Sequence, residues 1–241
     1  NAPIARFPDP EEADEDSDFR FSELCFDDIG GYLSKSDSMI RQALVSKESN
    51  VFFISAPAGC GKSLFGEILS NETDLFYTMI KGPQILALST NVAIKKLEKA
   101  TTDTIENAPS LLFIDDFDVI AEELIYEIVD DNSDDDEMPN QRNKTVTEKK
   151  DFAIAKCLFD QLNKLKVSQN VVVICTMKND SFSPTFRQQT VRVDVTLPDY
   201  NERISILNAI TRKMSFKSLE EKTKTIESIA KNAEGKTGAE L

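Results

Sequence analysis

The residues best suited to chemistry lie in one glycine-rich stretch, which reads Ala-Pro-Ala-Gly-Cys-Gly-Lys-Ser from Ala56 to Ser63. Except at its first position, this stretch matches GxxxxGK[ST], the pattern of a loop that cradles phosphate groups. Gly59 and Gly61 allow backbone N–H groups to point at phosphate oxygens. Lys62 is placed to reach the β- and γ-phosphates, and the Ser63 hydroxyl is a ligand for Mg²⁺. Ala56 replaces the first glycine, which costs little where φ is negative.

A second, acidic motif reads LLFIDDFD from Leu111 to Asp118. Asp115 ends an apolar run typical of a buried strand, and ligands bind at the carboxyl ends of such strands. A carboxylate there is the Mg²⁺ partner that a phosphate-binding loop requires. Asp116 follows directly. Many ATPases that combine these two motifs have a glutamate at this position, where it activates the attacking water. Because aspartate is one methylene shorter and small misplacements are costly, the sequence predicts weak hydrolysis.

The composition excludes several other chemistries. The chain has no histidine, which removes catalytic triads, cysteine–histidine pairs and histidine metal sites. Its four cysteines lack CxxC spacing, which favours a reducing intracellular compartment, cytoplasmic or nuclear. The net charge of −14 argues against nucleic acid as a partner. No apolar run is long enough to span a membrane. The segment TMKND at 176–180 does not match NKxD, a motif that gives specificity for guanine nucleotides. The sequence therefore favours ATP over GTP as the ligand.

Apolar runs alternate with amphipathic stretches along the chain. The predicted strands are 51–55, 74–80, 111–115, 171–176 and 191–197, and the predicted helices are 36–47, 63–71, 92–108, 119–129 and 149–165. This alternation predicts a mainly parallel α/β sheet with helices on both faces. Two further helical patterns, 199–214 and 218–235, have no strand between them and predict a small helical subdomain.

The predicted organisation has three parts. Residues 1–20 form an acidic, flexible leading segment, because charge runs of this kind are usually solvated. Residues 21–197 form the large α/β subdomain, which carries an acidic insert at 127–148. Residues 198–241 form a partial helical subdomain.

Several motifs in this order resemble a AAA-type (AAA+) ATPase module, most like the first ATPase domain of the valosin-containing-protein group and its relatives. The resemblance covers about residues 24–241. The matching segments are FDDIGG (26–31), APAGCGKSLFGEILSNET (56–73), IKGPQIL (80–86), ENAPSLLFIDDFDVIA (106–121), LPDYNERISIL (197–207) and GKTGAEL (235–241).

The resemblance implies a P-loop NTPase sheet followed by a helical lid, with ATP and Mg²⁺ bound between the subunits of a homo- or hetero-oligomeric, hexameric ring that remodels client proteins. Mg²⁺ is expected at Ser63 and Asp115. The residues expected around the nucleotide are Asp28, Ile29, Gly30, Pro57, Ala58, Gly59, Cys60, Gly61, Lys62, Ser63, Leu64, Gly238 and Ala239.

The catalytic positions implied by the resemblance are Asp116, Asn179 and Arg187, and here the sequence departs from the family. An ungapped match puts Lys178 at the sensor asparagine, with Asn179 one residue further on. Arg187 stands at the first arginine-finger position, and no clear second finger follows, although such fingers contribute about 10³-fold or more to rate. The pore segment ALSTN (87–91) lacks the aromatic residue that grips a threaded polypeptide.

Three functional hypotheses are consistent with these observations. The leading one is an ATP-binding AAA module with weak hydrolysis in an oligomeric protein-remodelling ATPase. The second is a catalytically inactive pseudo-ATPase whose nucleotide is structural in a larger complex. The third is a docking scaffold that uses the acidic runs to bind a basic partner.

Overall fold

The computed structural model describes residues 24–31, 50–121, 146–178 and 191–241, with side chains in the third range from residue 152. The strands are β1 (Val51–Ser55), β2 (Phe76–Lys81), β3 (Ser110–Asp115), β4 (Val171–Met177) and β5 (Val191–Asp194). The helices are α1 (Lys62–Glu72), α2 (Gly82–Ala87), α3 (Thr90–Glu106), α4 (Val146–Lys166), α5 (Tyr200–Ile210) and α6 (Leu219–Asn232). Single 3₁₀ turns lie at Phe26–Asp28 and Gly238–Glu240.

The strands form one five-stranded sheet in the order β2-β3-β4-β1-β5. Every neighbouring pair is parallel. Parallel neighbours require crossover connections, which here include helices, and these cover the sheet faces. All residues of β3 and β4 are buried, as expected for strands covered on both sides. The predicted parallel α/β fold with flanking helices is thus confirmed.

Alternate side chains of each strand feed two separate core layers. Val51 and Phe53 of β1 lie in a layer with residues of α3 and α4, such as Leu97. Phe52 of β1 lies in the opposite layer with Phe65 of α1. Both faces of β1 are therefore apolar and buried, as expected for a strand that is covered on both sides of a parallel sheet.

The first layer is organised around Phe117, which belongs to a helical segment that begins directly after β3. Its ring packs edge-to-face against Phe53 at 5.3 Å and against Phe159 of α4 at 5.8 Å. Edge-to-face geometry places the positive rim of one ring on the negative face of another. Through these two contacts, Phe117 joins the segment that follows β3 to both β1 and α4.

In the second layer, α1 lies very close to β3. A methyl group added at Gly66 would be only 2.5 Å from Cε1 of Phe113, which is itself fully buried. Tyr77 of β2 donates a hydrogen bond from its hydroxyl to the Gly66 carbonyl at 2.8 Å. The absence of a side chain at residue 66 therefore sets the distance between α1 and the sheet.

The helices α5 and α6 pack on each other through Leu207, Ile226 and Ala230. Asp199 caps α5 by accepting from the Glu202 N–H at 2.8 Å, while the Glu202 carboxylate accepts from the Asp199 N–H. The buried Arg203 of α5 donates to the carbonyls of Ala230 and Pro198, both at 2.8 Å. These bonds hold the two helices to each other and to the connection from the sheet.

Some element bounds differ from the predicted ones. The strand predicted at 191–197 ends at Asp194, although the Val195 N–H still donates to the Ser55 carbonyl at 2.7 Å. A short helix, α2, occupies Gly82–Ala87, where no helix was predicted. The predicted helix 36–47, the acidic leading segment 1–20 and most of the acidic insert 127–148 lie outside the described residues, as does most of 119–129.

Within the described ranges, no helix combines the length and the low charge that crossing a bilayer would demand.

The close approach at Gly66 leads to a stability prediction. Gly66→Ala should lower the free energy of unfolding by about 1–2 kcal/mol, because overpacking against Phe113 outweighs a gain of about 1 kcal/mol in helix propensity. Urea denaturation measures the difference. Glu72→Ala, an exposed change on the same helix, should stay within about 0.5 kcal/mol of the parent. An unchanged or more stable Gly66→Ala variant would show that α1 can move away from the sheet.

Candidate nucleotide-binding site

The predicted site residues meet where three neighbouring strands end. In the order β3-β4-β1, the carboxyl ends of all three strands face the same edge of the sheet. The glycine-rich loop follows β1, Asp115 and Asp116 lie at the end of β3, and Lys178 follows β4. Open α/β sheets bind their ligands at this edge.

The loop has the backbone that its glycines make possible. Gly59 and Gly61 have φ values of 79° and 85°, in the left-handed region that disfavours residues with a β-carbon. Gly61 is also the N-cap of α1, so the loop leads directly into a helix N-terminus that attracts anions. Among the described non-glycine residues, only Asp116 and Asn170 have positive φ, so Ala56 needs no such conformation. Its replacement of the first glycine is therefore tolerated.

Lys62 is a buried cation at the base of this loop. The residue is 6% exposed, and its ammonium donates to the Ala56 carbonyl at 2.7 Å and to the Pro57 carbonyl at 3.0 Å. Both partners are neutral. Burial lowers the pKa of Lys62, while the carboxylates of Asp116 and Asp118 act in the opposite direction. The surroundings of Lys62 therefore favour an anionic ligand, which would stabilise the buried charge.

The Cys60 thiol, next to Lys62 in the loop, has its pKa raised above the ordinary value by burial. A neutral thiol is the form that a raised pKa favours, and it adds no negative charge to the glycine-rich loop. Cys60 thus fits the site as a compact, uncharged residue.

Asp115 holds the loop helix and the neighbouring strand together. It is 4% exposed, and its Oδ2 accepts from the Ser63 hydroxyl while its Oδ1 accepts from the Thr176 hydroxyl, both at 2.6 Å. The Asp116 N–H donates in turn to the Thr176 oxygen at 3.0 Å. This chain of hydrogen bonds crosses from α1 through β3 to β4.

The donor set of Ser63 and Asp115 fits Mg²⁺, which prefers hydroxyl and carboxylate oxygens. The described residues contain no group of three or more cysteine and acidic side chains that would form a metal site by themselves. A cation beside Ser63 and Asp115 would need further oxygens, and Mg²⁺ commonly takes these from substrate phosphates and water. The pair is therefore suited to a metal–nucleotide complex rather than to an isolated ion.

Asp116 lies beside the network in an unusual conformation. Its φ is +50°, which aspartate adopts more readily than most residues and which is frequent at functional sites. Its Oδ1 is 3.6 Å from the ammonium of Lys178. The Lys178 backbone N–H donates to Oδ2 of Asp118 at 2.9 Å. Two acidic side chains thus hold one lysine at the open end of the site.

The C-terminal turn contacts the loop directly. The Ala239 N–H donates to the Gly59 carbonyl at 3.0 Å. A methyl added at Gly59 would come within 2.7 Å of the Thr237 hydroxyl. Gly238 lies against both the Gly59 carbonyl and the side chain of Ile206 in α5. The predicted residues Gly238 and Ala239 therefore lie against the glycine-rich loop.

The segment that contains Asp28, Ile29 and Gly30 reaches the same corner. A methyl at Gly30 would be 2.6 Å from the backbone of Ile206, so this backbone is pressed against α5. Arg212 pairs with Asp27 at 3.0 Å and with Asp28 at 2.8 Å. The hydrogen bond from the Cys25 N–H, aided by Arg212, holds the pKa of Asp28 below its ordinary value. Asp28 is thus an ionised anchor of the segment.

The structure therefore brings together the loop, the end of β3 and the C-terminal turn, and the segment 28–30 is joined to them through Ile206 of α5. Asn179 and Arg187 lie outside the described residues. Sequence reasoning missed Thr176, Thr237, Ile206 and Arg212. Of these, only Thr176 had a usable signal, as a polar residue near the end of an apolar strand beside β3.

Because Thr176 serves two buried partners, its hydroxyl should matter more than its methyl group. Thr176→Val should lower the free energy of unfolding by about 2–3 kcal/mol by leaving Asp115 Oδ1 and the Asp116 N–H without this partner. The control Thr176→Ser keeps the hydroxyl and should lose only about 1 kcal/mol for its missing methyl. Thermal denaturation compares the two, and a smaller loss for valine than for serine would contradict the network.

A comparison with protein-family models agrees with this geometry. The model described as ATPase family associated with various cellular activities (AAA) matches residues 52–198. The matched segment begins in β1, includes the glycine-rich loop and the acidic end of β3, and ends just before α5. A domain of this family is a nucleotide-binding module of the ATPase type. The match covers more than half of the sequence, and the chain therefore belongs to the AAA family of ATPases.

Proposed function

We propose that this chain is an ATP-binding AAA module that hydrolyses ATP weakly and acts within an oligomeric protein-remodelling ATPase. One observation carries the proposal: the ammonium of Lys62 is buried beside a loop with two left-handed glycines, and among the described residues its only hydrogen-bond acceptors are the neutral carbonyls of Ala56 and Pro57. A buried charge is usually paired, and the terminal phosphates of ATP would supply the missing anion.

Ser63 and Asp115 would hold Mg²⁺ on the phosphates, and their 2.6 Å hydrogen bond already brings the two side chains together. When bound, Mg²⁺ neutralises charge on the phosphate oxygens. The residues Pro57 to Leu64 would surround the phosphates through loop N–H groups and the N-terminus of α1. Asp28, Ile29 and Gly30 would flank the adenine, and Gly238 and Ala239 would cover the nucleotide.

In the reaction, a water oxygen bonds to the γ-phosphorus while the bond to the bridging oxygen breaks, which releases ADP and phosphate. Asp116 would accept the proton that the water loses. Two features of Asp116 support weak hydrolysis: its side chain is shorter than glutamate, and its carboxylate is paired with Lys178 at 3.6 Å. Asn179 and Arg187 complete the proposed catalytic set, with Arg187 acting on a neighbouring subunit's site.

The same proposal assigns the parts of the chain. Residues 21–197 would form the nucleotide-binding subdomain and 198–241 part of a helical lid. The hydrogen bond from Ala239 to Gly59 supports this division of roles, since it links the C-terminal turn to the loop. The likeness to the first ATPase domain of the valosin-containing-protein group favours a hexameric ring with protein clients. The net charge of −14 gives no reason to add nucleic acid as a partner.

The ion pair between Asp116 and Lys178 also favours a second candidate, a pseudo-ATPase whose bound nucleotide is structural. If Lys178 keeps the carboxylate occupied, no base is available to the water, while Lys62, Ser63 and Asp115 still bind ATP. The two candidates differ in turnover and not in nucleotide binding.

Lys62→Met removes the buried charge while keeping most of the side-chain volume. We expect ATP affinity to fall by about 10- to 100-fold, because hydrogen bonds to charged groups contribute about 1.5–3 kcal/mol. Isothermal titration with Mg²⁺ and ATP measures the affinity. Lys156→Met, which changes an exposed lysine of α4, should bind ATP like the parent. Equal affinities for the parent and Lys62→Met would refute the nucleotide site.

Asp116→Asn removes the proposed base and retains its size. We expect steady-state ATP turnover to fall by at least about 10²-fold, within the range that general bases contribute, while ATP still binds. Phosphate release measures turnover, and Asp160→Asn on the exposed face of α4 is the matched control. Turnover that does not change in Asp116→Asn would exclude Asp116 as the base. A parent protein that binds ATP without any turnover would establish the pseudo-ATPase.

A further inference from the structure

The segment 24–31 lies between the sheet and the C-terminal helices and contacts both. On the side of the sheet, Ile29 is 7% exposed and belongs to the core layer that contains Phe65 of α1. The side chain of Asn71, near the end of α1, donates to the Leu24 carbonyl at 3.0 Å. The segment is therefore attached to the sheet layer by a buried apolar contact and a hydrogen bond, neither of which involves a charged side chain.

The contacts of the same segment with α5 are of a different kind. The Gly30 backbone lies against the backbone of Ile206, and the Gly31 N–H donates to the Ser205 hydroxyl at 3.2 Å. Because glycine has no side chain, these two residues add no apolar anchor on the side of α5. The attachment to α5 therefore depends more strongly on the charged residues that precede the glycines.

Arg212, just beyond the end of α5, makes the charged contacts. Its Nη1 donates to Oδ2 of Asp27 at 3.0 Å, and its Nη2 donates to Oδ1 of Asp28 at 2.8 Å. One guanidinium thus bridges two adjacent carboxylates with two different nitrogens, a geometry that its rigid planar fork permits. The other oxygen of Asp28 accepts from the Cys25 N–H at 3.0 Å, so the segment itself holds this carboxylate in place.

The two ion pairs differ in their exposure to water. The side chains of Arg212, Asp27 and Asp28 are 36%, 81% and 14% exposed. The pair with Asp27 is open to water and contributes little by itself, whereas the pair with Asp28 is better shielded and has the short distance of a charge-assisted hydrogen bond. Together the pairs can favour one position of α5 against the segment without making that position permanent.

We propose that Arg212 is a positioning residue for nucleotide binding, an ionic latch that holds α5 against the segment which flanks the adenine. With the latch closed, α5 and the backbone of 28–30 keep the spacing seen in the structure. With the latch open, the segment stays with the sheet, and α5 moves with the C-terminal helices. This inference rests on the proposed nucleotide site, from which it takes the place of the adenine, and it gives Arg212 no contact with the phosphates.

Arg212→Met removes the charge and keeps much of the side-chain length. We expect the affinities for Mg²⁺–ADP and for the non-hydrolysable β,γ-imido analogue of ATP to fall by the same factor, about three- to tenfold, because a smaller fraction of the protein then holds α5 in the binding position. Isothermal titration measures both affinities. Lys217→Met changes an exposed lysine between α5 and α6, and this control should bind both nucleotides within about twofold of the parent.

Salt and a conservative variant distinguish a latch from a general loss of structure. In about 1 M salt, the affinities of the parent and Arg212→Met should differ by less than about twofold, because exposed ion pairs are screened. Arg212→Lys keeps a cation without the planar fork and should recover part of the lost affinity at low salt. A difference between the parent and Arg212→Met that is the same at both salt concentrations would contradict an ionic latch.

A double-mutant cycle identifies the partners of Arg212. In a background that carries both Asp27→Asn and Asp28→Asn, Arg212→Met should change the two affinities by less than about twofold, because the carboxylates are already lost. If Arg212→Met weakens binding as strongly in that background as in the parent, Arg212 acts elsewhere and the latch is refuted.

The two proposals fail in different ways. If the parent protein and Lys62→Met bind neither nucleotide, the nucleotide site itself is wrong. If the parent binds both nucleotides and depends on Lys62, but Arg212→Met leaves both affinities unchanged or weakens the ATP analogue alone, only the latch is wrong.

Discussion

The Asp115 carboxylate is the point on which the site depends. A buried carboxylate must have its oxygens hydrogen-bonded, and here one oxygen takes the Ser63 hydroxyl and the other takes the Thr176 hydroxyl. These two partners belong to α1 and β4, which are far apart in the sequence. One side chain at the end of β3 therefore ties the N-terminal end of α1 to the sheet, next to Lys62. The Thr176 oxygen also accepts a hydrogen bond from the Asp116 N–H and thereby helps to orient Asp116.

The parallel sheet makes this arrangement possible. Strands β3, β4 and β1 are adjacent in space although other elements separate them in the chain, so their carboxyl ends lie side by side. Both faces of the sheet are filled with apolar side chains, which leaves the strand ends as the place where polar groups gather. Gly66 allows α1 to approach the sheet closely, and the helix N-terminus is thereby held at the same edge as Asp115.

The sequence was most informative where local chemistry decides the structure. The buried strand 51–55 is found with the predicted bounds, because an unbroken apolar run beside a glycine loop has few alternatives. The loop, Asp115 and the C-terminal Gly238 and Ala239 were likewise predictable from motifs. The partners of these residues were not. Whether Lys178 faces Asp116 depends on the register of β4 against β3, and the contact between Thr237 and Gly59 depends on how the C-terminal turn packs.

The bond between Ala239 and Gly59 has a mechanical consequence. The Gly59 carbonyl and the Cys60 N–H belong to one rigid, planar peptide unit, so a rotation that turns the N–H in one direction turns the carbonyl in the other. Because that carbonyl accepts from Ala239, the C-terminal turn is attached to the back of the peptide that forms part of the loop. The C-terminal turn also contacts α5, where Gly238 lies beside the side chain of Ile206. A tilt of this one peptide plane would therefore move the Cys60 N–H in the loop and, through Ala239, the C-terminal turn that contacts α5.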